Sequence, residues 1–373
     1  MYQLDIQATS QTKKRERAEK RVKSRCNCGK EGIIGLYQLE EEERIKYHPI
    51  SCGSVLCEYC AWRESRKLFR RVEEYVKGIK DVLVFATLTI GGRESVKEAV
   101  KRAYEVKKRF GDLRVSGRKR YPKLREKVEE LLSRYIERVR ETDGEEEARK
   151  RYEFHTNVMR KFEKRFGNKL YESGMKVRDI FKGIWKFEIT TNSNHCSNHW
   201  HSHWHIILSG YIPLFLLQAL WIEAGGGEIL DIRQVKEKRE AIDELSKYHV
   251  KPVIKEEQLQ KLSEETLIEL EESLYGRRKV ETWGIEKVEI EKESQWKLVK
   301  LFTNIRVKLS VNNIRDIPKR VRELWKNDID DFEYCIAKNE KYEIEGKIVL
   351  DKHGNLWWNI DLDKLKWINR LLF

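Results

Sequence analysis

The segment His201-Ser202-His203-Trp204-His205-Ile206-Ile207-Leu208 constrains the fold more than any other part of the chain. Trp204, Ile206 and Leu208 alternate with His201, His203 and His205, and a period of two is that of a strand, whose successive side chains point to opposite faces. Such a strand belongs in a sheet that buries one face and keeps a polar, histidine-bearing face on the other. Three imidazoles in register on one strand are held rigidly enough to share a metal ion. A second segment, WKFEITT, alternates in the same way: Trp185, Phe187 and Ile189 face one side, Lys186, Glu188 and Thr190 the other. Glu188 adds a hard oxygen donor, which suits Mg²⁺ or Mn²⁺ with positions left open for a phosphate oxygen. The polar connection NSNHCSNHW can close a hairpin between the two strands.

The rest of the pattern is mixed. The apolar, β-branched run Val82 to Ile90 predicts a buried strand stopped by Gly91-Gly92. A basic helical stretch follows, in which Leu124, Val128, Leu131, Tyr135 and Val139, and then Ala148, Tyr152, His155, Phe162 and Phe166, recur at helical spacing on either side of Asp143-Gly144. Tyr211 to Ala224 predicts a helix on the sheet, EILDIRQV a further strand, and residues 236 to 251 a helix stopped by Pro252. Near the end, KIVLDKHGNLWWNIDL predicts a hairpin around His353-Gly354-Asn355. The expected fold class is α+β, an antiparallel sheet layered with helices. The expected segments are a basic arm at 1–25, a cysteine-rich segment at 26–80, a main domain at 81–284 with a helical insertion at 94–180, and a C-terminal α+β extension at 285–373.

Five of the seven cysteines fall between residues 26 and 60, a clustering that in a reducing compartment points to metal rather than disulfides. Cys57 and Cys60, then Cys52, with either Cys26 or Cys28, can supply four thiolates to a tetrahedral zinc. Such a closed site leaves no open coordination position, so its expected role is structural or DNA-binding. Cys196 and Cys335 stand apart. Lys and Arg number 76 against 62 Asp and Glu, a net +14 that favours a polyanionic partner. The 37% of charged residues equally describes a heat-adapted surface. The first 25 residues are either a solvated helix or a DNA-contacting arm. The longest apolar run, Tyr211 to Ile222, is broken by Pro213 and Gln218 and is too short for a bilayer. With no signal-peptide pattern either, the expectation is a cytoplasmic protein without a membrane segment.

Glu244, Tyr248 and Lys251 are spaced to share one helical stripe. A tyrosine is a poor nucleophile at its ordinary pKa near 10 and needs a polarised phosphate, a cation or a base beside it. Lys251 offers the cation, and Glu244 could activate water.

In order, VFATLTI, FEITTN, WHSHWHIIL and ELSKYHVK resemble the motif series of rolling-circle plasmid replication initiators with a single catalytic tyrosine, members of the HUH endonuclease superfamily. The family's histidine-hydrophobe-histidine motif corresponds to His203-Trp204-His205, preceded by a further histidine, His201. Its Tyr-x-x-Lys motif corresponds to Tyr248 and Lys251, and its glutamate four residues before the tyrosine, implicated in ending replication, to Glu244. Relatives often carry a Cys-x₄-Cys-x₂-Cys run like Cys52, Cys57 and Cys60. The likeness covers about residues 82 to 254, interrupted by the basic insertion. Ser202 stands where relatives often have proline, and His199 lies close to the metal-ligand histidines; Glu188 is the preferred third ligand, His201 its competitor.

The resemblance implies an HUH-type sheet and a site-specific endonuclease and strand transferase acting on single-stranded DNA. A divalent ion, Mn²⁺ or Mg²⁺, on His203, His205 and Glu188 or His201 would polarise the scissile phosphate, and Tyr248 would form a 5′-phosphotyrosine link. Zn²⁺ would be structural. Implied partners are single-stranded and origin duplex DNA and host replication proteins, with the basic insertion and the C-terminal aromatic residues holding DNA. Two other readings stand beside it: an HUH single-strand transposase or relaxase, and a non-enzymatic zinc-containing DNA-binding protein that would leave the aligned histidines idle.

Overall fold

The computed structural model describes residues 2–63, 83–172, 174–191, 200–210, 212–228, 230–235, 253–254, 256–284, 296–311, 314, 316–327, 329–341, 343–352 and 355–360. Helix α1 (Tyr2–Ser24) leads into a hairpin of β1 (Glu31–Leu39) and β2 (Glu42–Pro49). The apolar run then forms β3 (Leu83–Arg93), and the basic stretch forms α2 (Val96–Asp112), α3 (Arg120–Asp143) and α4 (Glu145–Phe166). A short α5 (Val177–Ile180) precedes the hairpin partners β4 (Gly183–Thr191) and β5 (Trp200–Ser209). Next come α6 (Leu214–Glu223), β6 (Leu230–Val235), α7 (Glu256–Leu259), α8 (Glu264–Leu274) and β7 (Val280–Trp283). The chain continues with β8 (Lys297–Leu309), α9 (Ile317–Asn327), β9 (Asp331–Asn339), β10 (Ile344–Asp351) and β11 (Leu356–Asn359).

The alternating strands assemble as their pattern requires. A five-stranded sheet has the order β6-β3-β5-β4-β7, antiparallel throughout, with the histidine strand β5 at its centre. The apolar face of β5 lies on α2. Ser202 Oγ donates to the Ala99 carbonyl and Trp204 Nε1 to the Ala103 carbonyl, both at 3.2 Å. Small residues at 99 and 103 bring the helix backbone within reach of these side chains. β3 runs through Gly91-Gly92 to Arg93 instead of stopping there, with a bulge between Ile90 and Arg93. A Cβ on Gly92 would stand 3.0 Å from the Cε1 of His201, so glycine there leaves room for the ring.

Helices α3 and α4 pair as a hairpin and pack on α6. Buried positions on α3 are Tyr121, Leu124, Val128, Leu132, Ile136 and Val139, with Leu131 and Tyr135 only partly covered. The burial stripe thus includes Leu132 and Ile136, one position on from the two expected residues. His155 of α4 is wedged between Tyr135 (5.6 Å between ring centres) and Phe215 of α6 (5.0 Å). Helix α6 is buried along most of its length, which explains why it is apolar on nearly every side.

The two ends of the chain make a second body. β1 and β2 close a barrel with β8 to β11, in the order β1-β2-β11-β10-β9-β8, around Ile34, Ile45, Tyr47, Val307, Ile348, Leu350 and Trp358. The cysteine-rich segment and the C-terminal extension, separate in sequence, therefore share one core. Helix α1 is docked: Ala18 and Val22 pack on Ile268 of α8, and Arg15 pairs with Glu265 at 2.7 Å. The fold is thus a mixed α+β architecture with antiparallel sheets. Among the described residues no helix is long and apolar enough to cross a membrane.

His155 makes the helical hairpin acid-sensitive. Burial, reinforced by Arg151, lowers its pKa from 6.5 to about 4. Between those values the unfolded chain binds the proton and the folded chain does not, so stability is present above pH 6.5 and is lost as pH falls toward about 4. The loss should total about 2 kcal/mol once solvent screening of this half-buried ring is allowed for. His155→Phe should flatten the pH dependence of urea unfolding across this window; an unchanged slope would show that the ring does not set it.

Candidate functional site

Two clusters of metal-ligand side chains stand out. Cys28 follows a tight turn at the end of α1, Cys52 follows β2, and Cys57 and Cys60 flank the first turn of a helical segment at 58–63. A spacing of three brings the last two to one side of that turn. The Cys28 and Cys60 sulfurs lie 3.6 Å apart, those of Cys52 and Cys60 3.5 Å, and all four Sγ atoms fall within 4.8 Å of one another. A tetrahedral zinc with Zn–S bonds near 2.3 Å requires sulfur–sulfur edges of about 3.8 Å, so the quartet can bind a metal such as zinc. Cys28 therefore completes the set; the Cys26 side chain lies outside the described residues. Contacts among the four sulfurs lower the pKa of Cys57 and raise those of Cys52 and Cys60, so in the metal-free quartet a first ionisation falls on Cys57 and opposes the next.

The cysteine loop is tied to the five-stranded-sheet body through Glu271 of α8, a residue the sequence did not single out. Its carboxylate has no solvent exposure and accepts from Ser54 Oγ at 2.8 Å and Val55 N at 3.0 Å, both lying between Cys52 and Cys57. Arg21 of α1 stands 3.6 Å away. Burial raises the Glu271 pKa, and these three partners oppose the rise. Its only sequence signal was one acid among many on an amphipathic helix.

On the five-stranded sheet, His201, His203 and His205 share the face opposite α2. Glu188 is in register with His203, and Thr87 with His205. His205 is held from three sides: Nε2 is 2.6 Å from Glu188 Oε2, Nδ1 is 3.1 Å from Thr87 Oγ1, and the ring stacks on Phe85. His203 lies beside it, ring centres 6.4 Å apart, with Nε2 3.4 Å from Thr190 Oγ1. Its Nδ1 is buried with no hydrogen-bond partner among the described residues. Burial, then the neighbouring His205, pushes the His203 pKa down, which favours the neutral imidazole that ligates metal.

Glu188 and His205 are thus in direct contact, His203 is adjacent, and His201 lies over Gly92. Among the described residues the cysteine quartet is the one group of three or more whose ligand atoms converge; the histidines and Glu188 share a face without meeting at a point. Ser202, where proline is common in the resembling family, anchors the strand to α2. Thr87 was missed, though the alternation of Phe85, Thr87 and Thr89 marks it as facing the histidines; Thr190 shares the polar face with Glu188, as its alternation predicts. Glu244, Tyr248 and Lys251, with Cys196 and His199, lie outside the described residues. The described flanks of the tyrosine segment are Val235 on β6 and Val253, whose carbonyl accepts from Ile189 N at 2.8 Å.

Comparison with known proteins gives no relationship: no family model matches the chain, and no curated protein or solved structure is significantly similar to it.

Cys57→Ser removes one thiolate from a four-thiolate set. Zinc content by elemental analysis should fall from about one per chain toward zero, with a lowered melting temperature. Full zinc content in the folded variant would remove Cys57 from the site.

Proposed function

We propose that the chain is a rolling-circle replication initiator of the HUH type, which nicks single-stranded DNA at an origin and becomes covalently linked to it. The observation that carries this reading is the pairing of Glu188 with His205 beside a half-buried His203 whose Nδ1 is buried without a hydrogen-bond partner among the described residues. Imidazoles next to a carboxylate on a rigid sheet are a donor set for a divalent ion. The +14 charge suits the substrate. Chain reach supports the nucleophile: Val253 follows Tyr248 by five residues and is bonded to Ile189, the neighbour of Glu188. Five residues span at most about 17 Å.

His203 and His205, with Glu188 or His201, would hold the ion, which when bound polarises the scissile phosphate. Thr87 and Phe85 orient the His205 ring. The Tyr248 oxygen bonds to phosphorus as the bond from phosphorus to the 3′-oxygen breaks, and the phenol proton ends on the released 3′-hydroxyl. The 5′-phosphate remains on the tyrosine. Lys251 favours the developing charge from the same stripe. To end the cycle, Glu244 takes a proton from water, which hydrolyses the phosphotyrosine and returns the free phenol. The cysteine quartet would hold Zn²⁺ in a structural role.

A second reading draws on a specific observation, that the quartet is the convergent metal group among the described residues. On that reading the protein binds nucleic acid through a zinc-stabilised body and catalyses nothing. One experiment separates the two. Protein, Mn²⁺ or Mg²⁺ and end-labelled single-stranded origin DNA are incubated and run on a denaturing gel. The nicking reading requires a covalent adduct, lost in Tyr248→Phe and in His203→Ala, with DNA affinity in Tyr248→Phe within about twofold of the parent because only one oxygen is removed. No adduct with any origin strand would leave the second reading.

Glu244→Ala tests the termination step. It should form the adduct at the normal rate and release it about 10²- to 10⁴-fold more slowly, the range for loss of a general base. Equal loss of both steps would make Glu244 a structural residue, and normal release would remove it from the mechanism.

A further inference from the structure

We propose that the outer face of the barrel, where β8, β1, β2 and β11 meet, is a binding surface for single-stranded nucleic acid. The inference goes beyond the nicking chemistry, since it says where a strand is held and not how one is cut. Cross-strand register sets two rows on this face: Leu298, Tyr37 and Arg44 in one, and Leu301, Gly35, Lys46 and Trp357 in the other. The intervening Ile34, Ile45 and Trp358 point into the barrel core. The rows are therefore fixed by the strand period, with their backbones held by the ladder.

Aromatic rings cluster here. Trp296, Tyr37 and His48 are partly exposed and gather around Trp357, which is itself buried at 8% exposure: Trp296 and Trp357 are 5.3 Å apart between centres, Tyr37 and Trp357 6.2 Å, and Tyr37 and His48 5.8 Å. Two cations sit among them. The Arg44 guanidinium is 5.1 Å from the Trp296 ring and 5.8 Å from Trp357; the Lys46 ammonium is 5.4 Å from Tyr37 and 5.6 Å from Trp357. A nucleotide offers a flat π-face and an anionic phosphate within one short unit, and a patch of alternating rings and cations meets both needs at once.

Two details sharpen the fit. A Cβ on Gly35 would stand 3.0 Å from His48 Nε2 and 3.1 Å from Tyr37 Cε2. Glycine there lets the two side chains meet over the backbone, with Tyr37 Oη 3.3 Å from His48 Nε2, and so extends the ring surface. Burial, helped by Lys46, lowers the His48 pKa to about 4, so at neutral pH this ring adds area and no charge. Arg44 pairs with Glu42 at 2.6 Å, but an exposed pair of this kind contributes at most about 1 kcal/mol and yields readily to a phosphate. The exposed Leu298 and Leu301, at 51% and 42%, flank the patch and would equally suit a second copy of the chain. Charge decides the choice: two cations inside the ring cluster of a chain with net +14 favour a polyanion over an identical, like-charged surface.

The test titrates the full chain against a fluorescein-labelled oligothymidylate and follows anisotropy across a range of salt. Trp296→Ala should weaken binding roughly 5- to 150-fold, and Trp296→Phe should restore most of it. Arg44→Ala combined with Lys46→Ala should lower the slope of log affinity against log salt by about 1.4, for two lost single-strand phosphate contacts. Should Trp296→Ala not fold, the salt slope of the double variant and the behaviour of Trp296→Phe carry the test. Parental affinity and slope in the folded variants would overturn the proposal. So would a sedimentation shift from dimer to monomer with oligonucleotide affinity untouched, which would assign the face to self-association. Binding is scored without any adduct, so a chain that binds here and never forms the covalent link fails the nicking reading alone.

Discussion

Trp204 lies at the point on which the five-stranded body depends. It has no exposed surface, its indole N–H is bonded to the Ala103 carbonyl, and the residues on either side of it in the strand are His203 and His205. A strand whose two faces are committed in this way, one to an apolar core and one to imidazoles, has a single tolerable register, because a slip of one residue would bury histidines and expose tryptophan. Ser202 reinforces the same register through its bond to Ala99. The positions of His201, His203 and His205 therefore follow from packing on the opposite side of the sheet.

The same underside carries an expensive feature, the buried Lys107 of α2. Its ammonium lies 4.2 Å from the centre of the Trp204 ring and 2.7 Å from the Glu281 carboxylate on edge strand β7. Burial lowers its pKa to about 8 against the opposing pull of Glu281. Buried pairs of this type seldom add net stability, but removing one partner is costly, so they oppose alternative arrangements. Lys107 links helix, central strand and edge strand in one contact set. Trp283, the neighbour of Trp185 at 4.2 Å between ring centres, extends that set along β7.

Glu271 performs a similar task between the two bodies of the molecule. Its buried carboxylate collects donors from the cysteine loop and from α1, so the loop that carries Cys52 and Cys57 is fixed to α8 as well as to the barrel. The cysteine quartet thereby lies at a joint between barrel and five-stranded sheet. A metal held there would stabilise the placement of one body against the other as well as its own loop.

Local pattern alone determined much of this. The period of two in β4 and β5 set which residues share the histidine face, helical spacing located the basic hairpin, and cysteine spacing named Cys52, Cys57 and Cys60, because each of these depends on neighbours within a few residues. The order of motifs also suggested the nuclease reading, although its tyrosine segment lies outside the described residues. Tertiary structure alone decided what rests on contacts between distant parts of the chain. It chose Cys28 as the fourth thiol, joined β1 and β2 to β8 through β11 in one barrel, and docked the N-terminal segment, open in sequence between a solvated helix and a DNA-contacting arm, as helix α1 on α8. It also placed Glu271 beneath the cysteine loop and gathered Trp296, Trp357, Tyr37 and His48 into one face. No local periodicity encodes such meetings: they follow from barrel closure and from burial, which act between residues up to some three hundred positions apart, as when Lys46 donates to Asn355 across a separation of 309.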